Sequence, residues 1–209
     1  DSTSQPATTN YAFRFSAPGL QVVRPIVVAG GPTVVYPITS GSNNVSGIVI
    51  KDLQMTVKDK LPTRLIFAST WKDFEIDGGN LTIAPSISGS VTKLMYILAS
   101  SLDSINYVKF RNIKLTGFDK ADFLFDFREK ISLLDVTNLT IDSLGTGRII
   151  TNSDSISHFR LNNLKIKSNL SGAIVNVPAT VKSFLHINSS YEKIDTLIPT
   201  VNAAVSSKQ

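Results

Sequence analysis

The chain has 209 residues, 42% of them hydrophobic and only 18% charged, with a formal net charge of +5. That size suits one domain with a tail, and the absence of cysteine excludes disulfides, thiolate metal sites and a cysteine nucleophile. No apolar run approaches the roughly 18 residues of a membrane span, and two isolated histidines do not make a transition-metal site.

Residues 1–10, DSTSQPATTN, are polar and read as a disordered lead-in or linker. Residues 11–44 carry short apolar runs punctuated by Pro18, Pro25, Pro32 and Pro37. Proline cannot donate to a sheet ladder, so these runs read as irregular strands of an opening cap. The glycine pairs Gly30-Gly31 and Gly78-Gly79 read as turns or bulges. Neither forms a phosphate-loop motif, and no cofactor is expected.

From Val45 a single template repeats. It reads apolar, two free, apolar, free, apolar, free, Asn, apolar, free, apolar. The clearest copies are ISLLDVTNLTI at 131–141 and ISHFRLNNLKI at 156–166. Apolar residues two apart indicate a strand with one buried face. The adjacent Asn-apolar pair breaks that alternation, so the chain must bend there, and Asn tolerates left-handed backbone angles. The corner residues read as Asp52, Asn80, Asn112, Asn138, Asn163 and Asn188, spaced by 28, 32, 26, 25 and 25 residues. In this reading Gly78 and Gly79 are an insertion before the Asn80 corner, and the side chains form one inward structural ladder. The sixth copy is degenerate, with His186 in a core slot.

Between templates lies a shorter strand, with inward slots at Leu65 and Phe67, Phe125 and Phe127, Ile150 and Asn152, and Val175 and Val177. Such spacing means one supersecondary unit stacked on itself. The expected fold is all-β: a right-handed parallel β-helix over residues 45–195, of six to seven three-stranded coils and no substantial helix. Residues 196–209 read as a C-terminal cap and tail.

Outward columns carry the charges. One reads Val49, Glu75, Lys109, Asp135, Arg160, Leu185 from coil to coil; its neighbour reads Lys51, Asp77, Arg111, Thr137, Asn162, Ile187. Signs alternate through the middle, as paired parallel strands favour. A polysaccharide hydrolase or lyase needs converging carboxylates. The catalytic candidates are Glu75 with Asp77, and Asp126 with Glu129, but the alternation makes Glu75 and Asp77 partners of Lys109 and Arg111. Trp71 reads as core, and no metal site is identified. The net charge favours an acidic partner. The basic residues are scattered and not interleaved with aromatics, however, so nucleic acid is not expected.

The repeated corner and the run FLFDFREKISLLDVTNLTIDSL, with Asp126-Phe127-Arg128 before a template, resemble the uncharacterised β-helix domains of Bacteroidota secreted lipoproteins. The resemblance implies a place in the pectate-lyase-like superfold, often beside an immunoglobulin-like module. It also implies an extracellular, cell-surface or periplasmic location. It implies no established activity, and the calcium-binding acids and catalytic Arg or Lys of pectate lyases have no counterparts here. The chain begins at Asp1, which reads as a processed or excised piece, with any signal peptide or lipid anchor outside it.

The expected function is a non-catalytic surface module that binds polysaccharide or other glycan, or serves as a structural scaffold. The alternatives are a polysaccharide lyase or glycoside hydrolase with its site in the long connection at 84–104, or a phage tailspike fragment.

Overall fold

The computed structural model describes residues 12–29, 37–40, 45–58, 64–68, 71–84, 93–97, 104–119, 123–145, 148–152, 155–168, 175–177, 181–193, 196–197 and 201–203. The expected lead-in at 1–10, the Gly30-Gly31 pair and the last six residues lie outside them. The described residues form a parallel β-helix with no α-helix. Its larger sheet is built on four unbroken template strands: β5 (Ile48–Val57), β7 (Asp73–Ile83), β9 (Ile105–Thr116) and β11 (Ile131–Leu144). At flanking levels the same path divides at the corner. There it gives β2 (Gln21–Val23) and β3 (Ile26–Ala29), β13 (Ile156–Asn162) and β14 (Lys165–Ser168), and β16 (Ser183–Ile187) and β17 (Ser190–Lys193).

The second sheet stacks β1 (Phe13–Phe15), β4 (Ile38–Ser40), β6 (Arg64–Ala68), β8 (Lys93–Ile97), β10 (Phe123–Phe127) and β12 (Arg148–Asn152) in that order. Every pairing along it is parallel. Where three strands per coil were expected, a regular coil has one long bent strand and one short one. The corner residue bends the strand without interrupting its ladder.

Register corrects the expected corner set. Lys51 pairs with Asp77 and Leu53 with Gly79, so Asp52 stands opposite Gly78, not Asn80. Asp77 pairs with Arg111 and Gly79 with Ile113, which puts Gly78 opposite Asn112. Asn80 lies two residues beyond the corner, opposite Gln54 and Lys114. Gly78 and Gly79 are therefore no insertion: Gly78 is the corner, and Gly79 fills the slot that Leu53 and Ile113 fill. Backbone angles agree. Asp52, Asn112, Asn138, Asn163 and Asn188 have φ of 52–56°, Gly78 has 84°, and Asn80 is not among the positive-φ residues. A side chain on Gly79 (φ 144°) would overlap the Leu53 carbonyl oxygen.

A further template copy lies where an irregular cap was expected. Val23 pairs with Lys51 and Ile26 with Gln54, which places Arg24, at φ 52°, in the corner column. Pro25 follows the corner, in the slot of Leu53, and is buried. At the other end β18 (Thr196–Leu197) closes antiparallel on β17, and β19 (Val201–Ala203) adds in parallel to β15 (Val175–Val177).

The core is one continuous cluster between the sheets. Its axis is aromatic: Phe15 meets Trp71 edge-on, and Trp71 stacks on Phe74 with centroids 4.4 Å apart. Phe110 bridges Phe74 to Phe125, which stacks on Phe127. Burying each ring contributes about 2 kcal/mol, and the parallel register repeats the contact from coil to coil. In β6 Leu65 joins the core as expected, but Phe67 does not. Ile66 pairs with Met95, which pairs with Phe125, whereas Phe67 pairs with Tyr96 and stacks on its ring outside that column. The side chains of Ile150, Asn152, Val175 and Val177 lie outside the described set.

Candidate functional site

The corner column is an outward ladder, correcting the inward orientation expected for it. Val136 and Leu139 both face the core, so Thr137 and Asn138 between them must both face out. The left-handed angle at Asn138 resets the alternation. Asn112, Asn138, Asn163 and Asn188 are all exposed. Asn163 Nδ2 donates to Asn138 Oδ1 at 2.8 Å, and Asn138 Nδ2 donates to Asn112 Oδ1 at 2.7 Å. Asn112 Nδ2 donates to Asp77 Oδ1 at 2.6 Å, which spans the side-chain gap at Gly78. Among the described residues these amides bond one another and Asp77. Asn188 shares the backbone corner but makes no side-chain bond to Asn163 among the described residues. Beyond the gap, Asp52 meets Arg24 at 3.9 Å, and Asn80 Nδ2 donates to Gln54 Oε1 at 3.1 Å.

A shallow groove of about 470 Å³ opens along this edge, lined by Asp52, Gly78, Asn80, Asn112, Lys114 and Asn138 among others. Four of its ten lining residues are amides, Gln54, Asn80, Asn112 and Asn138, and each amide carries more donors and lone pairs than the ladder uses. The glycine corner deepens the floor, because no Cβ stands between Asp52 and Asn112.

The predicted charge columns stand in register. Glu75 pairs with Lys109, Lys109 with Asp135, and Asp135 with Arg160. Lys109 Nζ is 3.7 Å from Glu75, and Arg111 joins Glu75 (3.5 Å) to Asp135 (2.8 Å). Asp135 is only 2% exposed, although its column faces outward. Arg111 covers it and Thr137 Oγ1 donates to it at 2.7 Å. The hydrogen bond that Arg111 itself donates to Asp135 pushes its guanidinium above the usual range. Burial, with Asp73 and Glu75 nearby, pushes the Tyr107 phenol up and away from any role as a base near neutrality.

The four carboxylates singled out as catalytic candidates are placed as follows. Glu75 is held by two bases, and Asp77 accepts the end of the amide ladder. Asp126, 1% exposed on β10, is held by Lys93 and by Arg128 Nε at 3.1 Å. Glu129, close by in sequence, is also buried. Around Asp126 lies a cluster that the sequence did not disclose: Arg64 sits 4.0 Å over the Tyr96 ring, and Lys93 lies 5.1 Å from the same ring. Its signal is faint, two bases at equivalent starts of β6 and β8 with aromatics three residues on. Such cation–aromatic packing stabilises a sheet face. Among the described residues no three His, Cys, Asp or Glu come together to hold a metal. His158 is exposed and meets Ser183 Oγ at 2.7 Å, and Trp71 is core.

Chemically, the four candidate acids are ion-paired, bound by an amide or buried, and the corner edge offers amides, hydroxyls and ammonium groups beside the exposed Asp52 carboxylate. No helix is long and apolar enough to cross a membrane among the described residues. No family profile matches the chain, and neither a curated protein nor a solved structure matches it.

Proposed function

We propose that this chain is a non-catalytic β-helix module that binds glycan along its corner edge. We place it on an extracellular, cell-surface or periplasmic protein of the pectate-lyase-like superfold, as in the secreted lipoproteins its repeat resembles. The observation that carries this reading is the amide-lined groove across successive coils. Asparagine side chains offer both donors and acceptors, which suits sugar hydroxyls. Proton transfer to a glycosidic oxygen needs a carboxyl group free at a cleft. Glu75, Asp77 and Asp126 are each engaged by a base or an amide, which favours binding over turnover.

The test is a glycan-array screen of the purified protein, with a parallel assay for reducing ends and unsaturated products. Binding without product release supports the module. Turnover that disappears in Glu75→Gln or Asp126→Asn overturns it in favour of a lyase or hydrolase.

A further inference from the structure

We propose that the corner groove takes an anionic polysaccharide laid parallel to the solenoid axis, with one negative group on every second sugar. The inference rests on the glycan reading above and specifies the ligand class of that same edge.

Two rows run side by side there. The first is the amide ladder. The second lies two residues beyond the corner, where Gln54 pairs with Asn80, Asn80 with Lys114, Lys114 with Thr140, and Thr140 with Lys165. Lys114 lines the groove, and Lys165 continues its row past Thr140. Both lysines are exposed. Among the described residues neither has an ion-pair partner, whereas Lys93, Lys109, Arg111, Arg128 and Arg160 all have one. Of the nearby acids, Asp142 in the adjoining outward row accepts from the Gly117 N–H at 3.3 Å, and Asp52, at the end of the groove away from Lys165, faces Arg24 at 3.9 Å.

Spacing selects the ligand. Lys114 and Lys165 stand two strands apart, which is about 10 Å. An extended β-linked chain advances by nearly one strand spacing per sugar. One carboxylate or sulfate per disaccharide therefore places successive charges opposite the two ammonium groups. The uncharged sugar between them meets Thr140 and the Asn112 and Asn138 amides. Nucleic-acid binding calls for clustered bases interleaved with aromatics, which this row of two spaced lysines does not offer. The formal net charge of +5 attracts an anionic chain at longer range.

The experiment measures affinity of the full chain for four probes. They are hyaluronan oligosaccharides, their carboxyl-reduced neutral counterparts, polygalacturonate oligomers charged on every sugar, and single-stranded polynucleotide at equal charge concentration. Hyaluronan oligomers should bind most tightly. Lys114→Gln and Lys165→Gln should each weaken that binding about fivefold, with unchanged melting temperatures and a clearly smaller loss for the neutral oligomers. Equal affinity for the neutral or fully charged oligomers, or lysine variants without effect, overturns the inference and leaves the glycan reading standing. Binding to none of these sugars, with a blank glycan array, overturns both. Polynucleotide that displaces hyaluronan at equal charge assigns the lysines to general polyanion attraction and also overturns it.

Discussion

Asn138 donates a side-chain N–H to Asn112 Oδ1 at 2.7 Å, and the two residues share one backbone conformation, with φ of 54° and 56°. A left-handed residue at the same point of each coil lets two consecutive side chains face outward while apolar neighbours on both sides face in. The ladder of amides is a by-product of that backbone requirement. We expect the backbone requirement, not the hydrogen bond, to carry most of the stability.

Asn138→Ala should therefore destabilise by about 1 kcal/mol, the cost of forcing a Cβ-bearing residue without a polar handle into left-handed angles. Asn138→Gly should lose less, because glycine adopts those angles freely. Urea unfolding of the two variants beside the parent protein reads the difference. Equal losses would show that the amide bond dominates.

Gly79→Ala should be far more severe than Gly19→Ala. A Cβ at Gly79 overlaps backbone atoms of Leu53, whereas at Gly19 (φ 69°) it meets nothing within 4 Å. We expect about 3 kcal/mol or more for Gly79 from overlap and strain together. For Gly19 the cost should be about 1 kcal/mol, from strain alone. Thermal melts rank the pair, and similar losses would refute the close strand approach at Gly79.

Arg111→Met removes the donor that covers Asp135, a carboxylate 2% exposed in the parent chain. Hydrogen bonds to buried charge contribute about 2 kcal/mol, and that is the expected loss. Because Asp135 is shielded from solvent, the loss should persist in high salt. A loss that vanishes in salt would mean the pair behaves as a surface contact.

Burial lowers the pKa of His186, which favours its neutral form in the folded coil. A group with a depressed folded pKa contributes full stability above its unfolded pKa, near 6.5. That contribution fades as pH falls through the interval down to the folded value. Acidification should therefore loosen the coil of β16, with amide exchange near Leu185 faster at acid pH after correction for intrinsic rates. His186→Phe should flatten the dependence, and an unchanged slope would place the titration elsewhere.

Much of the fold was legible because period and register are the same information in a solenoid. The alternating signs at Glu75, Lys109, Asp135 and Arg160 mark neighbours that now stand paired. The errors share one cause. A slip of two residues keeps every side chain on its face, so Leu81 and Ile83 fit the template equally well behind Gly78 or Asn80. Asn80-Leu-Thr imitates Asn138-Leu-Thr, while the real corner has no side chain to announce it. Arg24 failed to signal the first corner for a related reason, since arginine is not a turn residue by type. The burial of Asp135 was illegible because it depends on where the Arg111 side chain lies, not on any repeat.

The ladder also has a direction. From Asn163 through Asn138 to Asn112, every N–H points toward the earlier coil, and the run ends on the Asp77 carboxylate. Aligned amides add their dipoles, and an acid at the positive end stabilises the row much as one does at a helix N-terminus. A linear ligand lying against such a row meets a different electrostatic environment if it is turned end for end. On the glycan reading proposed above, the edge should therefore hold a chain in one polarity in preference to the other, independently of which sugars compose it.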